Sequence, residues 1–221
     1  ILEPTVQNAY RLSVERPLII GSVAMSIRSI LVFLIGFSGY FILQAQDAVK
    51  PHVLVIGIDG LRPDAMQKAK TPNIDILIQN GTVSFQCQIL GERYRKNDTV
   101  TAPGWSSILT GVWADKHGVQ DNSFKAKQFD KYPHFFARIK SQFPSLKTAS
   151  FLDLPQTNEH VVAHADFQYG YLESVRARSR AAKDALIATE ASKLIAAKDY
   201  QAVFVYFGNC DGVGHKKGFH P

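Results

Sequence analysis

Residues 52–58 read His-Val-Leu-Val-Ile-Gly-Ile and run straight into Asp59-Gly60. The stretch is apolar at nearly every position rather than at alternate ones. That pattern suits a strand buried on both faces of a parallel sheet, with a carboxylate delivered at its C-terminal end. A second run of this kind, Ala-Val-Phe-Val-Tyr-Phe at 202–207, leads into Gly208-Asn209-Cys210-Asp211. Parallel strands need long crossovers, so helices are expected between them.

The intervening sequence supplies those helices. Thr71-Pro72 reads as an N-cap followed by a first-turn proline, and Asn80-Gly81 as the stop of the same short helix. Residues 83–90 read as a strand. Residues 106–109 read as an apolar helical turn after Pro103-Gly104. Phe135, Phe136, Ile139 and Phe143 are spaced for a helix over 134–143, and 148–152 reads as a strand. The stretch 175–200, rich in Ala, Lys and Arg, is the longest expected helix. Strands alternating with helices predict an α/β layered fold, and open sheets of this type place their sites at strand C-termini.

With 46% apolar residues in 221, the chain can build one sizeable core, and disorder is not expected. The net charge of +6 favours anionic partners, but it is spread along the chain, as ordinary solubility charge is. Cys87 and Cys210 are the only cysteines, so Cys-x-x-Cys zinc sites and thioredoxin-like chemistry are excluded. The pair is expected as free buried thiols, with a disulfide as the alternative on export.

Three regions divide the chain. Residues 1–24 have no readable hydrophobic period and read as an upstream extension. Residues 25–45 carry a start at Met25, a cation at Arg28, an apolar run over 30–43 and a small residue at Ala45. This is the layout of a signal peptide, with a signal anchor as the alternative; the run is shorter than the ~20 residues of a comfortable span. The product is therefore expected outside the cytoplasm, in a periplasm or beyond, with membrane contact only through this segment. Residues 46–221 are expected to form the N-terminal part of a larger domain whose remainder lies beyond Pro221.

Three segments carry candidate chemistry. Asp59 ends the first strand and is a metal ligand or a turn-forming cap. Thr101 precedes Ala102-Pro103-Gly104-Trp105, where backbone N–H groups of a helix start converge; it is a nucleophile or a plain N-cap. Asp211 and His215, four apart in Asp-Gly-Val-Gly-His, offer one carboxylate oxygen and one imidazole in what reads as a glycine-rich loop; they are a zinc pair or an incidental turn. His52, His134, His160, His164 and His220 have no partner at ligand spacing, and His117 reads as part of a turn.

Taken together, Ile-Gly-Ile-Asp-Gly-Leu-Arg-Pro-Asp at 56–64, Thr101–Val119 and Asp-Gly-Val-Gly-His-Lys-Lys-Gly at 211–218 resemble the phosphodiesterase/nucleotide pyrophosphatase family of the alkaline phosphatase superfamily. The resemblance covers about 52–221. It implies an alkaline phosphatase-like central sheet with helices on both faces. It implies Thr101 as nucleophile, and Asn122 as amide donor to a phosphoryl oxygen. Two zinc ions are implied, one on Asp59 and Thr101, the other on Asp211 and His215. The family's second Asp-His pair and last His would lie beyond Pro221. The sequence departs from the family at 102–105, where Phe-Pro-Asn-His is usual, and at Asn209-Cys210, which replaces Glu-Pro. Those departures bear on the substrate, above all on whether a base stacks near Trp105.

The implied reaction is hydrolysis of a phosphodiester or pyrophosphate bond through a phospho-threonine intermediate. The substrate would be a small phosphate ester, nucleotides among them, and not a nucleic-acid duplex. Phosphomonoester hydrolysis is an alternative within the superfamily. A sulfatase needs Cys or Ser followed by x-Pro-x-Arg, and here Thr101 and Trp105 stand in those places. A non-catalytic phosphate-binding relic is the alternative outside enzymes. With two donors per ion, residues 1–221 by themselves are expected to bind zinc weakly and to be inert.

Overall fold

A computed structural model of the chain describes residues 51–87, 100–170 and 177–219. All of them belong to the unit Lys50–Pro221. The segment 25–45, His220 and parts of the expected strand 83–90 and helix 175–200 lie outside the described residues.

Four parallel strands form one sheet in the order β1-β4-β2-β3, with β1 at Val53–Ile58, β2 at Thr148–Leu152, β3 at Phe167–Gly170 and β4 at Ala202–Phe207. β2 and β4 have the bounds the sequence predicts. β4 lies inside the sheet, and its alternating side chains feed two separate cores. Ala202, Phe204 and Tyr206 join Trp105, Leu109 and Phe136 on one face. Val203, Val205 and Phe207 meet Phe151, Ile187 and Ala191 on the other. The sheet is thus covered on both faces, as the sequence leads one to expect. Ile187 is fully buried, which stabilises the packing of its helix by roughly 2 kcal/mol.

β1 departs from its expected burial. Val53, Leu54 and Ile56 are 57%, 44% and 50% exposed. The reason is topological. Among the described residues β1 is hydrogen-bonded to β4 alone, so it forms an edge.

The described helices are α1 (Pro63–Lys68), α2 (Pro72–Asn80), α3 (Thr101–Thr110), α4 (Ala114–His117), α5 (Phe135–Gln142), α6 (Pro155–His160), α7 (Arg180–Ala197) and α8 (Asn209–Lys217). α2 has the predicted ends, but the Thr71 hydroxyl donates to Asp75 Oδ1 at 3.1 Å rather than capping the backbone. α5 starts after His134 as its spacing requires. α7 begins later than expected, at Arg180, because the Ser179 hydroxyl accepts from Ala182 N and fixes the start there.

Four further expectations need correction. Residues 82–87 form no strand. α3 begins at Thr101 and not after Pro103-Gly104; proline fits the first turn, where its missing N–H has no intrahelical acceptor to lose. The segment 211–218 is not a loop, since Asn209–Lys217 is helical. Cys87 and Cys210 are free, as expected, but both are exposed and not buried. Among the described residues no helix is long and apolar enough to cross a membrane.

Candidate functional site

β1 and β4 run side by side and in the same direction, so their C-terminal ends open at the same edge of the sheet. β1 delivers Asp59 there, and β4 leads into α8, whose first turn carries Asp211. The N-terminus of α3 brings Thr101 to the same place. Asp59, Thr101, Asp211 and His215 all line one cavity of about 560 Å³. Leu61, Val100, Trp105, Ile108 and Phe219 form much of its apolar wall, and Arg62 is its guanidinium. Arg62 pairs with Asp64 at 2.7 Å and donates to the Phe219 carbonyl, which holds that guanidinium at the rim.

Thr101 is not an N-cap. The cap is Val100, with no side-chain bond. The Thr101 hydroxyl instead donates to Asp59 Oδ2 at 3.2 Å. Asp59 does sit in the turn that follows β1, where Leu61 N bonds to the Ile58 carbonyl at 3.4 Å, and the same Oδ2 accepts from the Tyr206 hydroxyl at 2.7 Å. Burial, and then the hydrogen bond and charge of Asp59, push the Tyr206 pKa well above its ordinary value, so this hydroxyl stays a donor to Asp59.

Asn122 is exposed, and its Oδ1 accepts from Ala102 N at 3.0 Å. The bond ties the Asn122 amide to the residue after Thr101 and satisfies one of the free N–H groups at the start of α3. Asn122 is thereby fixed beside Thr101, though it does not itself line the cavity.

Asp211 and His215 lie one helical turn apart on one face of α8, where i and i+4 side chains meet. Asp211 Oδ1 is 3.2 Å from His215 Nε2, and Oδ2 accepts from Arg180 Nη1 at 3.1 Å. Gly60 permits the approach of β1 to α8. Its φ is +71°, and a Cβ there would lie 2.6 Å from Asp211 Cα. Gly60→Ala is therefore expected to destabilise the chain by about 2 kcal/mol or more, from the left-handed conformation and the backbone clash together. Urea unfolding measures this; a loss below 0.5 kcal/mol would mean the two segments are not held this close.

The donor set suits a zinc-like ion. Carboxylate oxygen, hydroxyl and imidazole are its ordinary ligands, and two ligands on a tetrahedral zinc at about 2.0 Å stand about 3.3 Å apart. The Asp59–Thr101 and Asp211–His215 pairs are each 3.2 Å apart. Each pair is only half a shell, and among the described residues no three His, Cys, Asp or Glu side chains cluster as a metal site.

Several residues that shape the site escape sequence reading. Tyr206 was visible only as one apolar position of β4. Arg180 and Asp184 lie in α7, and Asp184 accepts from Gly208 N and Asn209 N at 3.1 and 3.0 Å, capping α8 from outside. Trp105 is 9% exposed, with its ring against Phe204 and edge-on to Tyr206. It belongs to the core, with little face left for a stacked base. Ser107 and His117 form a hydroxyl–imidazole pair at 2.9 Å, but Val119 N donates to His117 Nδ1. The proton therefore resides on Nε2, which makes His117 a donor to Ser107 and not its base. Burial pulls the His117 pKa down to about 4, in keeping with a neutral structural imidazole. His134 and His164, 30 positions apart, also pair, at 3.0 Å.

A parallel α/β sheet with helices on both faces is an alkaline phosphatase-like fold. Residues 53–221 match the family model described as type I phosphodiesterase / nucleotide pyrophosphatase. The chain belongs to that family, one of phosphate ester hydrolases. No curated protein matches the chain.

Proposed function

We propose that this protein hydrolyses phosphodiester or pyrophosphate bonds of small phosphate esters, nucleotides among them, with Thr101 as nucleophile and two zinc ions as cofactors. The observation that carries the reading is the Thr101 hydroxyl, released from helix capping and aimed at Asp59 Oδ2 beside a cavity that also holds Asp211 and His215. Asp59 and Thr101 would hold one ion, Asp211 and His215 the other. When bound, zinc lowers the pKa of a hydroxyl and neutralises charge on phosphoryl oxygens. Thr101 Oγ1 attacks phosphorus, an oxygen–phosphorus bond forms, and the bond to the leaving alcohol oxygen breaks. The Thr101 proton is already directed at Asp59 Oδ2. Water then attacks the same phosphorus, which still carries its second substituent, the bond to Thr101 Oγ1 breaks, and the second product is freed with the hydroxyl restored. The Thr101 N–H and the Asn122 amide supply donors to the equatorial oxygens.

Two tests arise directly. In a preparation that turns over an aryl phosphodiester, Asn122→Ala is expected to slow the reaction on the order of a hundredfold, the scale for one oxyanion donor. A rate within threefold of wild type would remove Asn122 from the mechanism. Among the described residues, two donors per ion fall short of the three protein ligands usual in a catalytic zinc site. Residues 1–221 on their own are expected to hold well under two zinc ions at micromolar metal, measured by metal analysis after desalting, and not to exceed the metal-only rate. Turnover above that background, stopped by Asp211→Asn, would show that fewer ligands suffice.

A further inference from the structure

Arg180 opens α7, 31 positions before Asp211, yet its Nη1 donates to Asp211 Oδ2 at 3.1 Å and to the Gly208 carbonyl at 3.3 Å. The other oxygen of the same carboxylate, Oδ1, faces His215 Nε2 at 3.2 Å. The carboxylate is divided between the two, one oxygen for the guanidinium and one beside the imidazole. The Asp211 side chain is 17% exposed and the Arg180 side chain 56%. An ion pair with one partner this open contributes little to stability, so stability does not account for the arrangement.

Gly212 supplies an independent observation. It lies inside α8, where glycine is a poor choice relative to alanine. A Cβ at that position would lie 2.5 Å from Arg180 Cδ and 3.0 Å from its Nε and Nη1. The helix gives up propensity where the arginine shaft crosses it, as it also does at Gly214, where a Cβ would meet the Phe219 ring. The start of α7 is itself fixed, by the Ser179 cap and by Asp184 on the first N–H groups of α8.

We propose that Arg180 is a positioning residue for Asp211. It holds Oδ2 so that Oδ1 and His215 Nε2 together present one oxygen and one nitrogen to a divalent cation. The inference rests on the metal reading of Asp211 and His215 given above. Arginine suits the task because it is charged at every working pH and has no lone pair to offer the metal. With Oδ2 held, the carboxylate cannot rotate or close on the cation through both oxygens. Groups that orient a ligating carboxylate in this way change metal affinity by about 10–100-fold when removed.

The test is a zinc titration of the 221-residue chain at fixed pH, followed at the His215 imidazole by ¹⁵N NMR, which reads an apparent Kd into the millimolar range. Asp211→Asn sets the window and should abolish the His215 response. Arg180→Ala is expected to raise the Kd about tenfold or more. Arg180→Lys should recover part of the loss, because an ammonium still holds Oδ2. Gly212→Ala should also raise the Kd while helix content by far-UV circular dichroism stays level or rises. Its new methyl meets only a flexible side chain, which swings off its seat, and alanine is the better helix former. A Kd unchanged in Arg180→Ala overturns the proposal. A lower Kd overturns it too, and makes Arg180 a competitor of the cation. Loss of helix content in step with the rise in Kd would assign Arg180 to the fold alone. If wild type gives no Asp211-dependent response, the metal reading fails and this inference with it. An Asp211-dependent response that ignores Arg180 leaves that reading standing.

Discussion

Replacing Thr101 with alanine should remove turnover of an aryl phosphodiester and leave the chain folded. Thr101 is the first residue of α3, and the helix cap is Val100, so deleting the hydroxyl uncaps nothing. Asp59 Oδ2 keeps its bond from the Tyr206 hydroxyl. The structural cost is one hydrogen bond, about 1 kcal/mol, partly offset by the better helix propensity of alanine. The chemical cost is of another order. Without the hydroxyl no phospho-threonine can form, and loss of a covalent nucleophile lowers turnover by roughly 10⁴-fold or more. In a preparation that releases nitrophenol from bis(p-nitrophenyl) phosphate with Zn²⁺, Thr101→Ala should fall to the metal-only rate. Thr101→Ser should retain measurable activity, because its hydroxyl starts from the same backbone position. Acid-quenched wild type should carry a nitrophenyl-phosphoryl group on Thr101 by mass spectrometry. An alanine variant within tenfold of wild type would sink the proposed chemistry.

The chain should lose stability steeply between pH 6.5 and pH 4. His117 and His134 are 0% and 1% exposed. Burial pulls both pKa values down to about 4, for His134 with help from the neighbouring His164 charge. In the unfolded chain both return to about 6.5. Below 6.5 the unfolded state therefore binds two protons that the folded state refuses, and stability falls with pH until the folded pKa is reached. The slope approaches about 2.7 kcal/mol per pH unit when both are involved, and the total is on the order of 3 kcal/mol for each histidine. Against a total stability of about 5–15 kcal/mol, that decides whether the fold survives. Urea midpoints from pH 7.5 to 4.0 read the effect directly. His134→Gln should flatten the slope by about half. A midpoint that does not move between pH 7 and 5 would mean that neither imidazole is sealed from water.

The strand 202–207 could be read from sequence because it is a continuous apolar run long enough for a strand and too short for a helix. α2 was legible from its punctuation, Thr-Pro at one end and Asn-Gly at the other. The four donors Asp59, Thr101, Asp211 and His215 were legible as candidates because each follows a strand or a helix-start signal. Their arrival at one cavity was not, since it depends on strand order, which no local pattern encodes. The helix Asn209–Lys217 was misread as a loop because two glycines argue against helix on propensity alone. What overrides propensity is tertiary: the Asp184 carboxylate on its first N–H groups and the Arg180 shaft across Gly212. The exposure of β1 was invisible for a similar reason. An edge strand and a central strand can share one apolar composition, and the order of the sheet alone separates them.

The pairing of β1 with β4 also sets a timetable. Asp59 meets Tyr206 across 147 positions of sequence, and every residue of β1 waits for a partner equally remote. Ribosomes add about 5–20 residues per second, so β1 emerges roughly 7–30 seconds before the strand that completes it. During that interval Val53, Leu54 and Ile56 have no β4 to cover their hydrogen-bonding edge, a condition that invites pairing with other chains. Contacts this distant close slowly, because loop entropy is lost before any pairing is gained. Asp59 and Thr101 leave the ribosome early and Asp211 and His215 late, so no part-made chain holds the full set of donors described here. Metal captured during synthesis would find isolated carboxylates, and the site comes into being only as the last of these strands docks.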